Sequence, residues 1–236
     1  MALPHSMVVL TGAGISAESG LGTFRDTDGI WTKYPLEDLA TPEGFARNPD
    51  FVQGFYNDRR RQLKTARAHA GHEALARLQT HCQAAGRDFL LVTQNVDNLH
   101  EQAGSTDVVH MHGELSRIRC MACHTVIDWS EDIDSTLPCP ACKTTGYLRP
   151  HVVWFGEMPL EMDRISQALS TCDLFVSIGT SGSVYPAAGF VQEALHAGAK
   201  TIELNLEPSE NAHVFSEARQ GPASEIVPAW VDDLIA

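Results

Sequence analysis

Four of the chain's six cysteines fall into two Cys-x-x-Cys pairs, Cys120/Cys123 and Cys139/Cys142, with fifteen residues between the pairs. Each pair offers two thiolates from one tight turn. Two such turns complete a tetrahedron, so the spacing specifies a zinc ribbon. Four cysteine ligands leave no open coordination position, which makes the ion structural rather than catalytic. His124 adjoins a ligand and is read as a bystander. The stretch 117–150 has little apolar content, and the metal stands in for the core it lacks. It is therefore an insertion, and the remaining sequence must build the main core around it. Cys82 and Cys172 stand alone and are read as reduced thiols on helices.

The flanking sequence supplies that core. Continuous apolar runs at Met7–Leu10, Phe89–Val92 and Leu174–Ile178 read as parallel strands buried on both faces. Val108 to His112 and Thr201 to Glu207 add two more. Helices are expected near Ile15, over His72–Ala84, Glu161–Thr171 and Pro186–Ala197, and as a closing helix with one short strand from Ser224 onward. Thr41-Pro42 and Asn48-Pro49 each pair an N-cap residue with proline at the first helical position, so residues 36–64 read as short helices. Residues 151–157 read as extended. The fold class is α/β: a Rossmann-like parallel sheet formed by 1–35, 72–116 and 151–236, with a small domain formed by a helical insert, 36–71, and the zinc ribbon, 117–150.

The strand ends carry the chemistry. Gly12, Gly14 and Ala17 form GxGxxA directly after the first strand. Glycine there lets the backbone approach a pyrophosphate beside a helix N-terminus. By itself the motif is equally a tight strand–helix turn. A dinucleotide fold should continue with a second strand ending in an acid. Here Gly20 to Trp31 follow instead, a glycine-rich polar loop with two aromatic residues and an arginine. Thr93-Gln94-Asn95-Val96-Asp97 and Gly179-Thr180-Ser181 end two other strands, where ligands of doubly wound sheets lie. Glu207 is a candidate for the ribose-binding acid that the early sequence lacks. His110 and His112 share one side of their strand, and His112, before Gly113, can reach a ligand as a base. His69, His72 and His81 are read as surface or helix-packing residues.

The net charge of −13 disfavours nucleic-acid phosphate as a partner and leaves basic, lysine-bearing partners open. No apolar run is long enough for a membrane span, and the first residues have no signal-peptide pattern, so the cytoplasm is expected.

Together GAGIS (12–16), TFR (23–25), TQNVDNLH (93–100), HGEL (112–115), the two Cys-x-x-Cys pairs, FGE (155–157), GTS (179–181) and NLE (205–207) resemble the sirtuins, NAD-dependent protein-lysine deacylases. The resemblance implies that NAD and an acyl-lysine enter a cleft between the two domains, that NAD is consumed, and that nicotinamide, O-acyl-ADP-ribose and free lysine leave. It implies His112 as general base. It assigns the nucleotide to Gly12, Ala13, Gly14, Ile15, Ser16, Ala17, Glu18, Thr23, Phe24, Arg25, Trp31, Gln94, Asn95, Val96 and Asp97. The adenosine half falls to Gly179, Thr180, Ser181, Asn205, Leu206, Glu207 and Ala223. Thr23 replaces an aspartate of the family pattern. Val153, Trp154, Phe155, Gly156 and Glu157 are expected to pair with the substrate peptide as a strand. Tyr56 and Arg59 resemble the Tyr-x-x-Arg pair of the sirtuin branch that removes acidic acyl groups, with small Ala40 leaving room for the longer chain. Arg59 lies in the run Arg59-Arg60-Arg61, which otherwise reads as a solvated basic patch. A monomer acting on acyl-lysine proteins is expected. Mono-ADP-ribosyl transfer and a non-catalytic zinc-ribbon interaction protein are the alternatives.

Overall fold

The structure is a computed structural model and describes residues 3–22 and 35–236. Thr23, Phe24, Arg25 and Trp31, expected at the nucleotide, lie outside the described residues.

Among the described residues, six parallel strands form the main sheet: β1 (Ser6–Thr11), β2 (Asp88–Thr93), β3 (Val108–His110), β7 (Leu174–Ile178), β8 (Lys200–Asn205) and β9 (Glu217–Gln220). Their spatial order is β3-β2-β1-β7-β8-β9. β1 is central, with Val9 in register with Leu91 on one side and Val176 on the other. Strand alternation splits the apolar runs between two cores. Met7, Val9, Leu91 and Val176 face helices α5 (Ala70–Ala84) and α9 (Ala223–Ile235) through Leu75, Leu78, Val227, Trp230 and Val231. Val8, Leu10, Val92 and Phe175 face α7 (Met162–Leu169) and α8 (Phe190–His196) through Ile165, Leu169, Phe190 and Val191. Burial on both faces is why these runs are continuously apolar. The strand order reverses between β1 and β7, which sets the crevice for a ligand at their C-terminal ends.

A second sheet, of order β5-β4-β6, is antiparallel: β4 (Gly113–Cys120), β5 (Val126–Asp128) and β6 (Leu148–Val152). It begins at Gly113 and ends at Val152, slightly outside the expected 117–150. Ile118, Ile133 and Leu148 pack around the buried Cys120 and Cys139 as a small core of its own. Helices α2 (Leu36–Leu39), α3 (Pro42–Arg47) and α4 (Pro49–Leu63) complete the small unit. The expected caps are present: Thr41 Oγ1 accepts from Gly44 N at 2.9 Å, and Asn48 Oδ1 accepts from Phe51 N at 3.2 Å. α4 is tied to the zinc-ribbon sheet by side chains. Gln53 donates to Leu148 O at 2.9 Å, Asn57 donates to Ile133 O at 2.8 Å, and Arg60 Nε donates to Leu115 O at 2.9 Å.

Four expectations change. Helix α1 (Ala13–Ser16) is a single turn followed by a 3-10 turn, so no long helix dipole points at the glycine loop. β3 stops at His110, and Met111-His112 form a turn into Gly113. Gly113 has φ +79°, and a Cβ there would lie 2.0 Å from His151 O, so only glycine permits this reversal. The last strand, β9, precedes α9 rather than following Ser224. The extended stretch expected over 151–157 stops with β6 at Val152 and gives way to a turn through Gly156 at φ +87°.

Candidate active site

The glycine loop after β1 is packed against the loop after β7. Gly12 N donates to Ile178 O at 3.0 Å and Gly14 N to Gly179 O at 2.8 Å. A Cβ on Gly14 would lie 2.7 Å from Gly179 Cα, and one on Gly179 (φ +62°) would lie 2.4 Å from Ile15 N. The glycines are thus required for the approach of two strand-end loops to each other. The β2 loop joins them: Gln94 N donates to Thr11 O at 2.9 Å, and Asn95 Nδ2 donates to Gly12 O and to Ser16 Oγ, each at 3.0 Å. Ser16 Oγ donates to Asp97 Oδ2 at 2.9 Å, while Asp97 Oδ1 accepts from Leu99 N at 3.1 Å. Burial raises the Asp97 pKa against these bonds. β8 closes the set, with Asn205 Nδ2 donating to Thr180 O at 2.8 Å and Gly179 N to Leu204 O at 3.0 Å.

So Gly12, Gly14, Ser16, Gln94, Asn95, Asp97, Gly179, Thr180 and Asn205 meet at one end of the sheet. Ala13, Ile15 and Ala17 belong to the same turn, with Ile15 buried in the core. Val96 faces the small unit, its carbonyl accepting from Leu115 N at 2.8 Å. Ser181 Oγ shares a hydrogen bond with Ser183 Oγ at 2.7 Å. Glu18 holds the start of α9 by accepting from the backbone and hydroxyl of Ser224, beside Ala223. Leu206 and Glu207 lie just beyond β8 and are exposed.

His112 sits at the edge of this cluster. Its Nδ1 donates to Gln94 O at 3.1 Å, which fixes the tautomer with Nε2 as the acceptor nitrogen. Burial lowers its pKa, and the Gln94 carbonyl only partly restores it, so the imidazole is neutral near neutral pH. His110 Nδ1 reaches Asn95 O at 3.3 Å and Nε2 pairs with Glu101 at 2.8 Å. Burial pulls its pKa down, but the Glu101 carboxylate outweighs this and the net shift is upward. The two histidines therefore reach adjacent carbonyls of the β2 loop, and their pKa values are shifted in opposite directions.

On the other side of His112, Val153 N donates to His112 O at 2.8 Å and Phe155 N to Ala40 O at 2.9 Å. Trp154 N donates to Glu157 Oε2 at 2.8 Å, and Glu157 N to Trp154 O at 3.0 Å. These backbone donors are committed internally, so a peptide strand would have to use other groups of the segment. Glu157 is held by Arg149 and Arg119, a structural duty that spacing did not reveal. Phe155 is exposed, whereas Trp154 is buried with Tyr56 and Ala40 in one cluster. Burial pushes the Tyr56 pKa up to about 12, so its phenol keeps its proton. Arg59 is partly buried beside Tyr56 and Asp97; burial lowers its pKa and those two groups oppose the shift. The arginine run is not a solvated patch: Arg60 is 3% exposed and hydrogen-bonded to Leu115 and Asn57, and Arg61 pairs with Asp58 and Asp132 at the surface. The signal for Arg60 was its i, i+4 phase with Val52 and Tyr56.

Sequence reasoning did not bring His69 and His72 together with His100, which form a row below the glycine loop with His72 and His100 buried. His69 reaches Ile15 O at 2.6 Å, the rings of His69 and His72 are 4.4 Å apart, and those of His72 and His100 are 5.1 Å apart. His100 Nε2 meets Thr11 Oγ1 at 3.0 Å.

The sulfur atoms of Cys120, Cys123, Cys139 and Cys142 all lie within 4.8 Å of one another. Four thiolates converging from two turns fit a tetrahedral zinc ion. Cys82 and Cys172 are separate and buried, and burial pushes both thiols up to about 11.

The Sir2 family profile matches residues 12–186, which run from the glycine loop through the cysteine sheet to the turn after GTS. The chain belongs to the Sir2 family. It is similar, at 60% identity over 97% of its own length and 96% of the relative's, to an NAD-dependent protein deacylase of Caulobacter vibrioides. An NAD-dependent protein deacylase of Escherichia coli is 58% identical over 97% of this chain and 82% of that one. Among solved structures, a complex of a Sir2 homologue with NAD superposes at TM-score 0.87 and 35% identity, covering 98% of this chain and 90% of that one. A Sir2 variant bound to a deacetylated p53 peptide and 3'-O-acetyl ADP ribose superposes at 0.82 and 26%, covering 98% and 94%. The parallel sheet with its separate small cysteine sheet is thus the Sir2 fold.

Proposed function

We propose that this chain is an NAD-dependent deacylase of lysine side chains in proteins, acting on acetyl and on short acidic acyl groups such as succinyl and malonyl. The observation that carries the reading is the position of His112. It is a neutral, oriented imidazole between the β1/β2/β7/β8 loop cluster and the Ala40–Tyr56–Trp154 cluster. Relatives named NAD-dependent protein deacylase at 60% and 58% identity support the same class.

NAD, when bound, supplies a glycosidic carbon that can accept the acyl oxygen as nicotinamide departs. The loop residues Gly12, Gly14, Gly179 and Thr180 would receive the phosphates and adenosine, and Asn95, Asp97 and Ser16 the nicotinamide ribose. Their mutual hydrogen bonds hold these groups in place before ligand arrives. His112 Nε2 is the acceptor that takes a ribose hydroxyl proton, and the Gln94 carbonyl steadies the imidazolium that results. Zinc in the cysteine site would hold the small sheet and has no part in the chemistry.

Acyl selectivity is assigned to α4. A guanidinium pairs with a carboxylate in a fork, and a protonated phenol adds one more donor. Tyr56 and Arg59 share one face of α4, and Ala40 lies in the same cluster with a side chain of one carbon. All these groups come from a single chain, so a monomer is sufficient. Free thiolates in a metal pattern suit a reducing compartment such as the cytoplasm.

The reading is tested by incubating purified protein with matched acetyl- and succinyl-lysine peptides, with and without NAD, and weighing the products. NAD-dependent loss of either acyl group with formation of O-acyl-ADP-ribose is expected. Transfer of ADP-ribose to the peptide, or no NAD-dependent change in either peptide, contradicts it.

A further inference from the structure

The indole N–H of Trp154 lies 2.9 Å from the phenol oxygen of Tyr56. An indole N–H only donates, so the phenol oxygen is the acceptor in this contact. A phenol has one proton to give, and that proton is not used here. Both rings are buried, at 2% and 4% exposure, with centroids 6.2 Å apart. The indole N–H therefore constrains which side of the phenol oxygen is left for its own proton. Burial keeps the phenol protonated, with a pKa pushed up to about 12.

Trp154 is itself held on three sides. The Arg149 guanidinium lies 3.2 Å from its ring centroid, a cation–π contact in a buried setting. Arg149 is 2% exposed and donates to both Glu157 oxygens at 2.7 and 3.0 Å and to Val152 O at 2.8 Å. Glu157 in turn accepts the Trp154 backbone N–H at 2.8 Å and Arg119 Nη2 at 3.0 Å. The Phe45 ring packs on the indole at 5.2 Å. Arg119 and Arg149 stand on β4 and β6, the strands of the cysteine sheet. The indole is thus fixed by the small sheet and aimed at a residue of α4.

We propose that Trp154 is a positioning residue for acyl selectivity: by donating to Tyr56 it occupies the acceptor side of the phenol and leaves the phenol proton for the carboxylate of an acidic acyl chain, next to Arg59. This rests on the assignment of Tyr56 and Arg59 made under the proposed function and extends it to the residue that holds Tyr56. An ionised carboxylate accepts and never donates, so only a phenol that presents its proton helps to bind it. An acetyl group has no such carboxylate, and its processing does not depend on the direction of that proton.

The test is a double-mutant cycle read as the ratio of kcat/KM for a succinyl-lysine peptide to kcat/KM for the matched acetyl-lysine peptide. Trp154→Phe lowers the ratio roughly five-fold, the equivalent of one ordinary hydrogen bond, and does so mainly through KM for the succinyl peptide. In a Tyr56→Phe background the same substitution leaves the ratio where Tyr56→Phe alone has put it. Should Trp154→Phe not fold, benzothienylalanine at position 154 keeps the bicyclic shape, deletes the N–H and is expected to give the same result. Equal falls in both backgrounds overturn the positioning role and leave Tyr56 standing as an acyl reader. A Tyr56→Phe variant whose ratio matches the parent overturns both.

Discussion

His112 and Gln94 are joined by a 3.1 Å hydrogen bond from imidazole Nδ1 to backbone carbonyl, and this bond decides which nitrogen is left to act as a base. His112→Ala removes the proposed base while vacating a partly exposed position outside the named core. We expect deacylation to fall about 10²–10⁴-fold, the usual worth of a positioned general base, with the zinc content and the thermal transition retained. Near-normal turnover in that variant contradicts the assignment.

The pH profile follows from the same residue. Its folded pKa is depressed by burial, so the neutral form predominates above a value lower than the usual ~6.5 of histidine. The kcat/KM for an acetyl peptide should rise with pH on the acid side, with an apparent pKa below about 6.5, and be flat through neutrality. An acid limb centred above 7 contradicts it.

Acid should also weaken the fold. His72 and His100 are pulled down to about 2 and about 4 by burial, and His151 to about 4. In the unfolded chain they titrate near ~6.5. Between these values the unfolded chain binds protons that the folded chain refuses. Their stabilising contribution is complete above about pH 6.5 and is lost as pH falls toward the folded values. His110, with a raised pKa, works in the opposite direction but is outnumbered. We expect Tm to decline from pH 7 to pH 5, and to decline less in a His72→Gln/His100→Gln variant. A Tm that climbs on acidification contradicts the burial of these rings.

Metal removal should act on the small unit. The four cysteine sulfurs form one cluster, so the protein should hold one zinc per chain by elemental analysis. Chelation, or Cys139→Ser, should unfold the small sheet because its own apolar core is slight. Since Gln53, Asn57 and Arg60 fasten α4 to that sheet, deacylation should fall with it. Full activity in metal-free protein contradicts this coupling.

What the sequence made legible follows a physical divide. Parallel strands announce themselves as apolar runs because both faces are buried, and the cysteine spacing encodes a metal tetrahedron without reference to any distant residue. Arg60 was hidden because a charge run reads as solvated until its carbonyl partner, Leu115, is brought alongside by the fold. The same holds for Glu157, whose arginine partners lie on β4 and β6, and for the row His69–His72–His100, assembled from α5 with its N-cap and from α6 (Leu99–Gln102). The end of β3 turned on Gly113, whose lack of a Cβ matters only once His151 lies across from it. In each case the missing information was the partner, not the residue.

The central claim is that Arg59 and Tyr56 read a carboxylate on the acyl chain. It is tested most directly by kcat/KM on matched succinyl- and acetyl-lysine peptides for the parent and for Arg59→Met. Loss of the guanidinium removes a charge-assisted pair that only the succinyl group can form, so we expect the succinyl value to fall about 10–100-fold more than the acetyl value. Equal losses on the two peptides would mean that Arg59 supports the fold or the nucleotide loop and that acyl choice is made elsewhere.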